Sequence, residues 1–209
     1  MKEKEIVDWL KCEREAADCG FTRICGVDEA GRGPLAGPVF AAAVILPEGL
    51  IIDGVNDSKK ISEKKREALF DEICEKALAY NIAAVDEKTI DEINILQATF
   101  KAMTDAVNGL DITPDFVMID GNAVPPQMEV TASAYVKGDA RSESIACASI
   151  LAKVSRDRYM RLLAEKYPQY GLEKHKGYGT AAHIAAIREY GVTPIHRRSF
   201  LKKIEGIEL

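Results

Sequence analysis

The chain has 209 residues, 47% of them hydrophobic, with a formal net charge of -5, enough apolar material for one substantial core and hence a single domain with appendages. No apolar run is long enough to span a membrane and Met1-Lys2-Glu3-Lys4-Glu5 is no secretory signal, so a cytoplasmic protein is expected. Five cysteines, at 12, 19, 25, 74 and 147, lack the paired spacing of a zinc site and read as reduced structural residues.

Residues 1–20 read as a charged helix with Ile6, Trp9 and Leu10 on one side, ending near Gly20 and docking on the core. Ile24 to Val27 form a short buried strand stopped by breakers, which leaves Asp28 and Glu29 where the strand opens to solvent. Two adjacent carboxylates repel each other, and a hard divalent cation such as Mg²⁺ or Mn²⁺ relieves that repulsion. Neighbouring strand residues point to opposite faces, so both acids reach one ion only if the strand distorts, and such a distortion is expected here. Gly31 and Gly33 allow backbone amides to approach a ligand, while Arg32 between them can meet phosphate or sugar oxygens. An Asp-Glu pair before glycines is also common surface punctuation, and the pair takes its meaning from the rest of the chain. The glycine spacing does not fit a dinucleotide fingerprint, and two acids would face the pyrophosphate.

Val39 to Leu46 is an almost uninterrupted apolar run, a buried strand antiparallel to the first. The polar stretch Asn56 to Ser62 follows, in which Ser58, Lys59 and Lys60 either contact phosphate or line a solvated loop; Ser62 then caps a helix with apolar positions 69/70, 73/74 and 77/78. Tyr80 to Val85 reads as a third strand. Ile93, Leu96, Phe100, Met103 and Val107 keep the spacing of one amphipathic helix. Asp115 to Asn122 repeats the opening theme of an apolar strand, an exit aspartate (Asp120) and a glycine, and two such exits can bring their acids to one sheet edge.

A strand over Glu129 to Tyr135 leads to Asp139, either a helix-start acid or a further carboxylate of the same site. The long helix after it carries Ile150, Leu151, Val154, Leu162 and Leu163, with Arg156, Arg158 and Arg161 on its other sides. Tyr178 sits in a basic, glycine-flanked loop, able to lie on a sugar or base or else to cover a helix start. A short helix around Ala181 to Tyr190 and the basic tail His196 to Lys203 finish the chain. From Lys137 onward there are 14 Lys and Arg against 8 Asp and Glu, so the C-terminal third is basic (+6) and the rest acidic (-11).

Together, Gly26 to Pro38, Asp57-Ser58-Lys59-Lys60, Ile119-Asp120-Gly121-Asn122, Lys137-Gly138-Asp139, Ala148 to Val154 and Lys176 to Thr180 resemble bacterial ribonuclease HII, in order, over residues 24 to about 200. The resemblance implies an α/β ribonuclease H-like fold, with a mixed central sheet flanked by helices and a helical C-terminal extension. Residues 1–20 then form an N-terminal helical extension and 21–209 the catalytic domain. It also implies a metal-dependent endonuclease that cleaves the RNA strand of RNA-DNA hybrids and cuts at ribonucleotides embedded in DNA, leaving 3′-hydroxyl and 5′-phosphate ends. The family's acid quartet corresponds to Asp28, Glu29, Asp120 and Asp139, holding two Mn²⁺ or Mg²⁺ ions. Gly31, Arg32 and Gly33 match its ribose 2′-hydroxyl sensor, and Tyr178 the aromatic that packs on deoxyribose. A monomer is expected. The rivals are a non-catalytic hybrid-binding protein with a structural metal and a metal nuclease of the same fold that is indifferent to ribose.

Overall fold

The computed structural model describes residues 7–202 and 204–208; Ile6, Lys203 and the side chain of Lys60 lie outside them. Its elements are α1 (Lys11–Asp18), β1 (Ile24–Ala30), β2 (Val39–Ile45), α2 (Glu63–Lys76), β3 (Ala79–Val85), α3 (Glu87–Asn108), β4 (Phe116–Asp120), β5 (Ala132–Tyr135), α4 (Glu143–Lys166), α5 (Leu172–His175), α6 (Ala181–Tyr190) and α7 (Arg198–Leu201). The five strands form one mixed sheet in the order β3-β2-β1-β4-β5. β1 pairs antiparallel with β2 and parallel with β4, β3 lies antiparallel on the far side of β2, and β5 runs parallel to β4.

β2 is buried along its whole length because helices cover both faces of the sheet. Alternate residues sort the two sides. Cys25, Val27, Val39, Ala41 and Ala43 pack with Ile90, Ala98, Ala102 and Ala106 of α3. Ala42 and Val44 pack with Leu69 and Ile73 of α2 and with Ala146, Ile150 and Leu151 of α4. Ile150 is fully buried, and trimming it to alanine costs about 2–5 kcal/mol in lost contacts and cavity. The α4 backbone sits directly on β1 because residue 26 is glycine: a Cβ there would lie 2.2 Å from the carbonyl carbon of Ser144. Asp28, two residues on, therefore faces α4.

Side-chain caps start the helices as their residue types lead one to expect. Ser62, Asp86, Ser142 and Thr180 each accept a hydrogen bond from the backbone N–H three residues on. The third helix departs from the single amphipathic helix that its spacing suggests. Asn94 has φ 67° and ψ 164°, and its side chain accepts from the N–H groups of Leu96 and Gln97, so it breaks α3 and recaps the second half. Ile93 and Leu96, read as core positions, consequently stay exposed at 36% and 43%.

The C-terminal helices build a satellite core, in which Leu172, Ile187 and Leu201 pack with Met160 and Tyr170 around Leu35 and Ala36 from the glycine turn after β1. Backbone bonds tie them together: Leu35 N–H to Gly177 C=O at 2.8 Å, Gly37 N–H to Ile195 C=O at 2.9 Å, and Arg197 N–H to Leu35 C=O at 2.8 Å. No helix among the described residues is long and apolar enough to cross a membrane, and the five cysteines are free.

Candidate active site

The parallel ladder between β1 and β4 closes with Val27 beside Ile119, so Asp28 and Asp120 come next at the same level on neighbouring strands. Asp139 arrives from the 3-10 turn Gly138–Ala140, and its N–H donates to Asp120 Oδ1 at 3.3 Å. One carboxylate oxygen from each of Asp28, Asp120 and Asp139 lies within 4.8 Å of the others. Asp28 is 5% exposed. Burial, then the charges of Glu29 and Asp120, push its carboxyl well above the usual range, against hydrogen bonds from Ser149 and the Glu29 N–H. A divalent cation would relieve that repulsion, and an all-oxygen donor set of this kind suits Mg²⁺ or Mn²⁺ rather than a soft metal.

Glu29 stands apart from this trio. β1 keeps an unbroken register to Ala30, opposite Phe40, so the distortion expected at the Asp-Glu pair does not occur there, and Glu29 leaves the strand on the face opposite Asp28. Its Oε1 lies 3.5 Å from Arg32 Nη1. Burial raises its pKa, with the Asp120 charge adding and Arg32 and Lys59 opposing. Glu29 thus belongs to the same electrostatic patch without sharing the three-oxygen cluster.

The chain turns sharply only at Gly31, where φ is +97°. Two buried guanidiniums clamp that turn. Arg156 donates to the carbonyls of Ala36 (3.2 Å), Pro38 (3.2 Å) and Lys176 (3.0 Å). Arg197 donates to those of Gly31 (2.6 Å), Arg32 (2.9 Å) and Gly37 (2.8 Å). Burial, and then its neighbour Arg156, lower the Arg197 pKa to about 9. Gly33 faces Tyr178: a Cβ on it would lie 3.5 Å from Tyr178 Cε1. Tyr178 is 45% exposed, and its carbonyl accepts from or faces His183 Nδ1 at 3.0 Å. Behind it the chain's three histidines cluster: the rings of His175 and His183 stack 4.4 Å apart, and His196 meets His183 at a tilt with their Nε2 atoms 3.3 Å apart.

The basic turn before α2 divides its residues between two tasks. Ser58, read as a phosphate contact, is buried, with its hydroxyl 2.9 Å from that of Ser149; it holds the turn in place instead of facing solvent. Arg66 supports the same turn through the carbonyls of Ser58 and Ile61. Lys59 is exposed and faces the acids. Burial lowers its pKa, but Asp28, Asp57, Asp139 and Asp120 together outweigh that and raise it.

The ribonuclease HII family model matches residues 25–203. The chain belongs to the ribonuclease HII family. It is 56% identical over 197 residues to ribonuclease HII of Caldicellulosiruptor saccharolyticus, covering 94% of this chain and 96% of that protein. To ribonuclease HII of Marinomonas sp. it is 61% identical over 183 residues, or 87% and 92% of the two chains. Among solved structures, ribonuclease H2 from Pyrococcus horikoshii OT3 superposes with a TM-score of 0.73 at 33% identity, covering 88% of this chain and 97% of that one. The fold is therefore that of a ribonuclease H, and membership of ribonuclease HII makes the chain a metal-binding endoribonuclease acting on RNA-DNA hybrids.

Two residues of this ribonuclease HII escaped sequence reasoning. Arg156 read as part of a solvated helix side and Arg197 as part of a basic tail, yet they are 1% and 0% exposed. The signal for Arg156 was present: Ile145-Ala146-Cys147-Ala148-Ser149-Ile150-Leu151-Ala152 has no charged face, so α4 is buried nearly all round. Nothing local distinguishes Arg197 from its neighbour Arg198, which is exposed.

Proposed function

We propose that the chain cuts the RNA strand of RNA-DNA hybrids and cuts 5′ of single ribonucleotides in duplex DNA, leaving 3′-hydroxyl and 5′-phosphate ends, with two Mg²⁺ or Mn²⁺ ions. The observation that carries this reading is the convergence of Asp28, Asp120 and Asp139 at one sheet edge, where Asp28 lies on the strand that leads into the Gly31–Gly33 turn against Tyr178. Asp28 and Asp120 would serve both ions, with Asp139 and Glu29 completing one site each. When bound, such ions make an attacking water nucleophilic and stabilise the charge on the leaving oxygen.

The protein's own groups do the positioning. Backbone groups of Gly31 and Gly33, with Arg32, are placed to meet a ribose 2′-hydroxyl, and a polar group left unpaired by deoxyribose penalises all-DNA substrate. Tyr178, backed by its histidine cluster, offers a ring to the neighbouring sugar. Lys59 supplies positive charge where phosphate would approach the acids, and Lys60 continues the basic turn. Ser58 acts from behind by holding that turn. The same reading makes the enzyme a cytoplasmic monomer whose domain spans residues 21–209, preceded by a helical extension.

A duplex with one embedded ribonucleotide, incubated with Mg²⁺, Mn²⁺ or chelator, tests the assignment. Cleavage is expected 5′ of the ribonucleotide with either ion, none with chelator, and none of an all-DNA control. Asp28→Asn should abolish turnover while retaining hybrid binding; an active Asp28→Asn protein, or equal cutting of both duplexes, sinks the reading.

A further inference from the structure

Helix α1 lies outside the segment matched by the family model, which begins at residue 25. Its hydrogen bonds to distant residues nevertheless converge, among the described residues, on the link between Asp139 and α4. Glu13 Oε1 accepts from Ser142 Oγ (2.7 Å), Ser144 Oγ (2.7 Å) and Ser144 N–H (3.0 Å). The Trp9 carbonyl accepts from Glu143 N–H at 2.9 Å, and Cys12 Sγ lies 3.8 Å from the Arg141 carbonyl.

These contacts do two physical things. They satisfy backbone donors at the start of α4 that have no partner within the helix, and they place a carboxylate at its positive end. They also press the α4 terminus onto β1, where the Ser144 backbone rests on Gly26. From that pinned terminus the chain reaches Asp139 in three residues: the N–H groups of Arg141 and Ser142 both donate to Gly138 C=O at 2.9 Å, and Asp139 N–H donates to Asp120. The distance of Asp139 from Asp28 and Asp120 is thus set between β1 on one side and Glu13 on the other.

We propose that Glu13 is a positioning residue of the metal centre, fixing Asp139 against Asp28 and Asp120 through Ser142 and Ser144. The proposal rests on the reading above, in which Asp139 ligates an ion. Groups bonded directly to a metal ligand typically change affinity about 10–100-fold when removed, and Glu13, acting through Ser142 and Ser144, belongs at the lower end of that range. Glu13→Ala should therefore weaken Mn²⁺ binding, measured by calorimetry without nucleic acid, about 10-fold or more. The Mn²⁺ concentration for half-maximal cleavage should rise by the same factor, with KM for the hybrid at saturating Mn²⁺ within twofold of wild type and kcat recovered at high Mn²⁺. Glu13→Gln, which keeps one acceptor oxygen, should fall between the two. Glu15→Gln, on the same helix in an exposed pair with Lys11, should match wild type.

A helix that merely adds stability would lower the melting temperature without changing the Mn²⁺ affinity of folded protein. Unchanged Mn²⁺ affinity in Glu13→Ala, or a loss confined to hybrid KM, overturns the proposal; if Glu13→Ala does not fold, a shift below twofold in Glu13→Gln does so. Wild-type protein that neither binds Mn²⁺ nor cleaves overturns the parent reading instead.

Discussion

Two glycines of one turn, substituted identically, should behave oppositely. At Gly31 an alanine must hold φ near +97°, and its Cβ would fall 2.0 Å from Arg156 Nε and 2.3 Å from Cδ. The left-handed backbone costs about 1–2 kcal/mol. Moving a buried guanidinium away from one or two of its three carbonyls adds about 1.5–3 kcal/mol. The total, about 2.5–5 kcal/mol, corresponds to a fall in Tm of about 5–20 °C for a domain of this size. At Gly33 the added methyl would meet Tyr178 Cε1 at 3.5 Å, an ordinary contact, and Tm should stay within about 2 °C. Thermal unfolding of both variants, with cleavage of a single-ribonucleotide duplex measured below both transitions, separates the cases. Gly31→Ala should lose about 100-fold in kcat/KM through the displaced turn. Equal melting of Gly31→Ala and wild type would refute the claim that the Arg156 clamp and the turn are mutually dependent.

Three other outcomes follow from the geometry. His183 and His196 are buried and their pKa is pushed down to about 4, so the unfolded chain takes up protons first as pH falls below 6.5; their contribution to stability should drop between pH 6.5 and 4, by up to about 3 kcal/mol per ring, against the opposite contribution of Glu143, whose carboxyl is raised to about 7. Chemical unfolding across that range, with His196→Gln reducing the slope, checks it. Because the acid cluster needs the folded sheet, Mn²⁺ at about 100 times its Kd should stabilise the protein by about 2.7 kcal/mol, reversibly with chelator and not in Asp28→Asn; a melting scan with no Mn²⁺ shift speaks against a preformed site. Lys59→Ala should raise hybrid KM about 3-fold or more and lower the salt slope of binding by about 1, and an unchanged slope would remove Lys59 from the phosphate path.

What the sequence disclosed and what it hid have physical reasons. An apolar run, an exit aspartate and a glycine, occurring twice, was enough to set Asp28 and Asp120 on neighbouring strands, because strand periodicity and breakers are local signals. The strand distortion expected at Glu29 is absent because the ladder continues three residues past Val27, held by the β2 pairing at Ala42, Ala41 and Phe40. Asn94 was hidden by a hydrophobic pattern that carries on across a break in the backbone. Arg156 and Arg197 were illegible for a deeper reason: all but one of their partners are carbonyls of a loop more than a hundred residues away, and no side-chain pattern encodes a carbonyl.

That remoteness has a consequence for how the molecule comes into being. The bonds from Arg156 to Ala36 and from Arg197 to Gly31 span 120 and 166 residues. A nascent chain emerging N-terminus first can assemble its strands and gather its acids while the glycine corner is still shapeless. Only once Arg197 has been made can that corner take its final form, so its closing waits on a residue far along the chain.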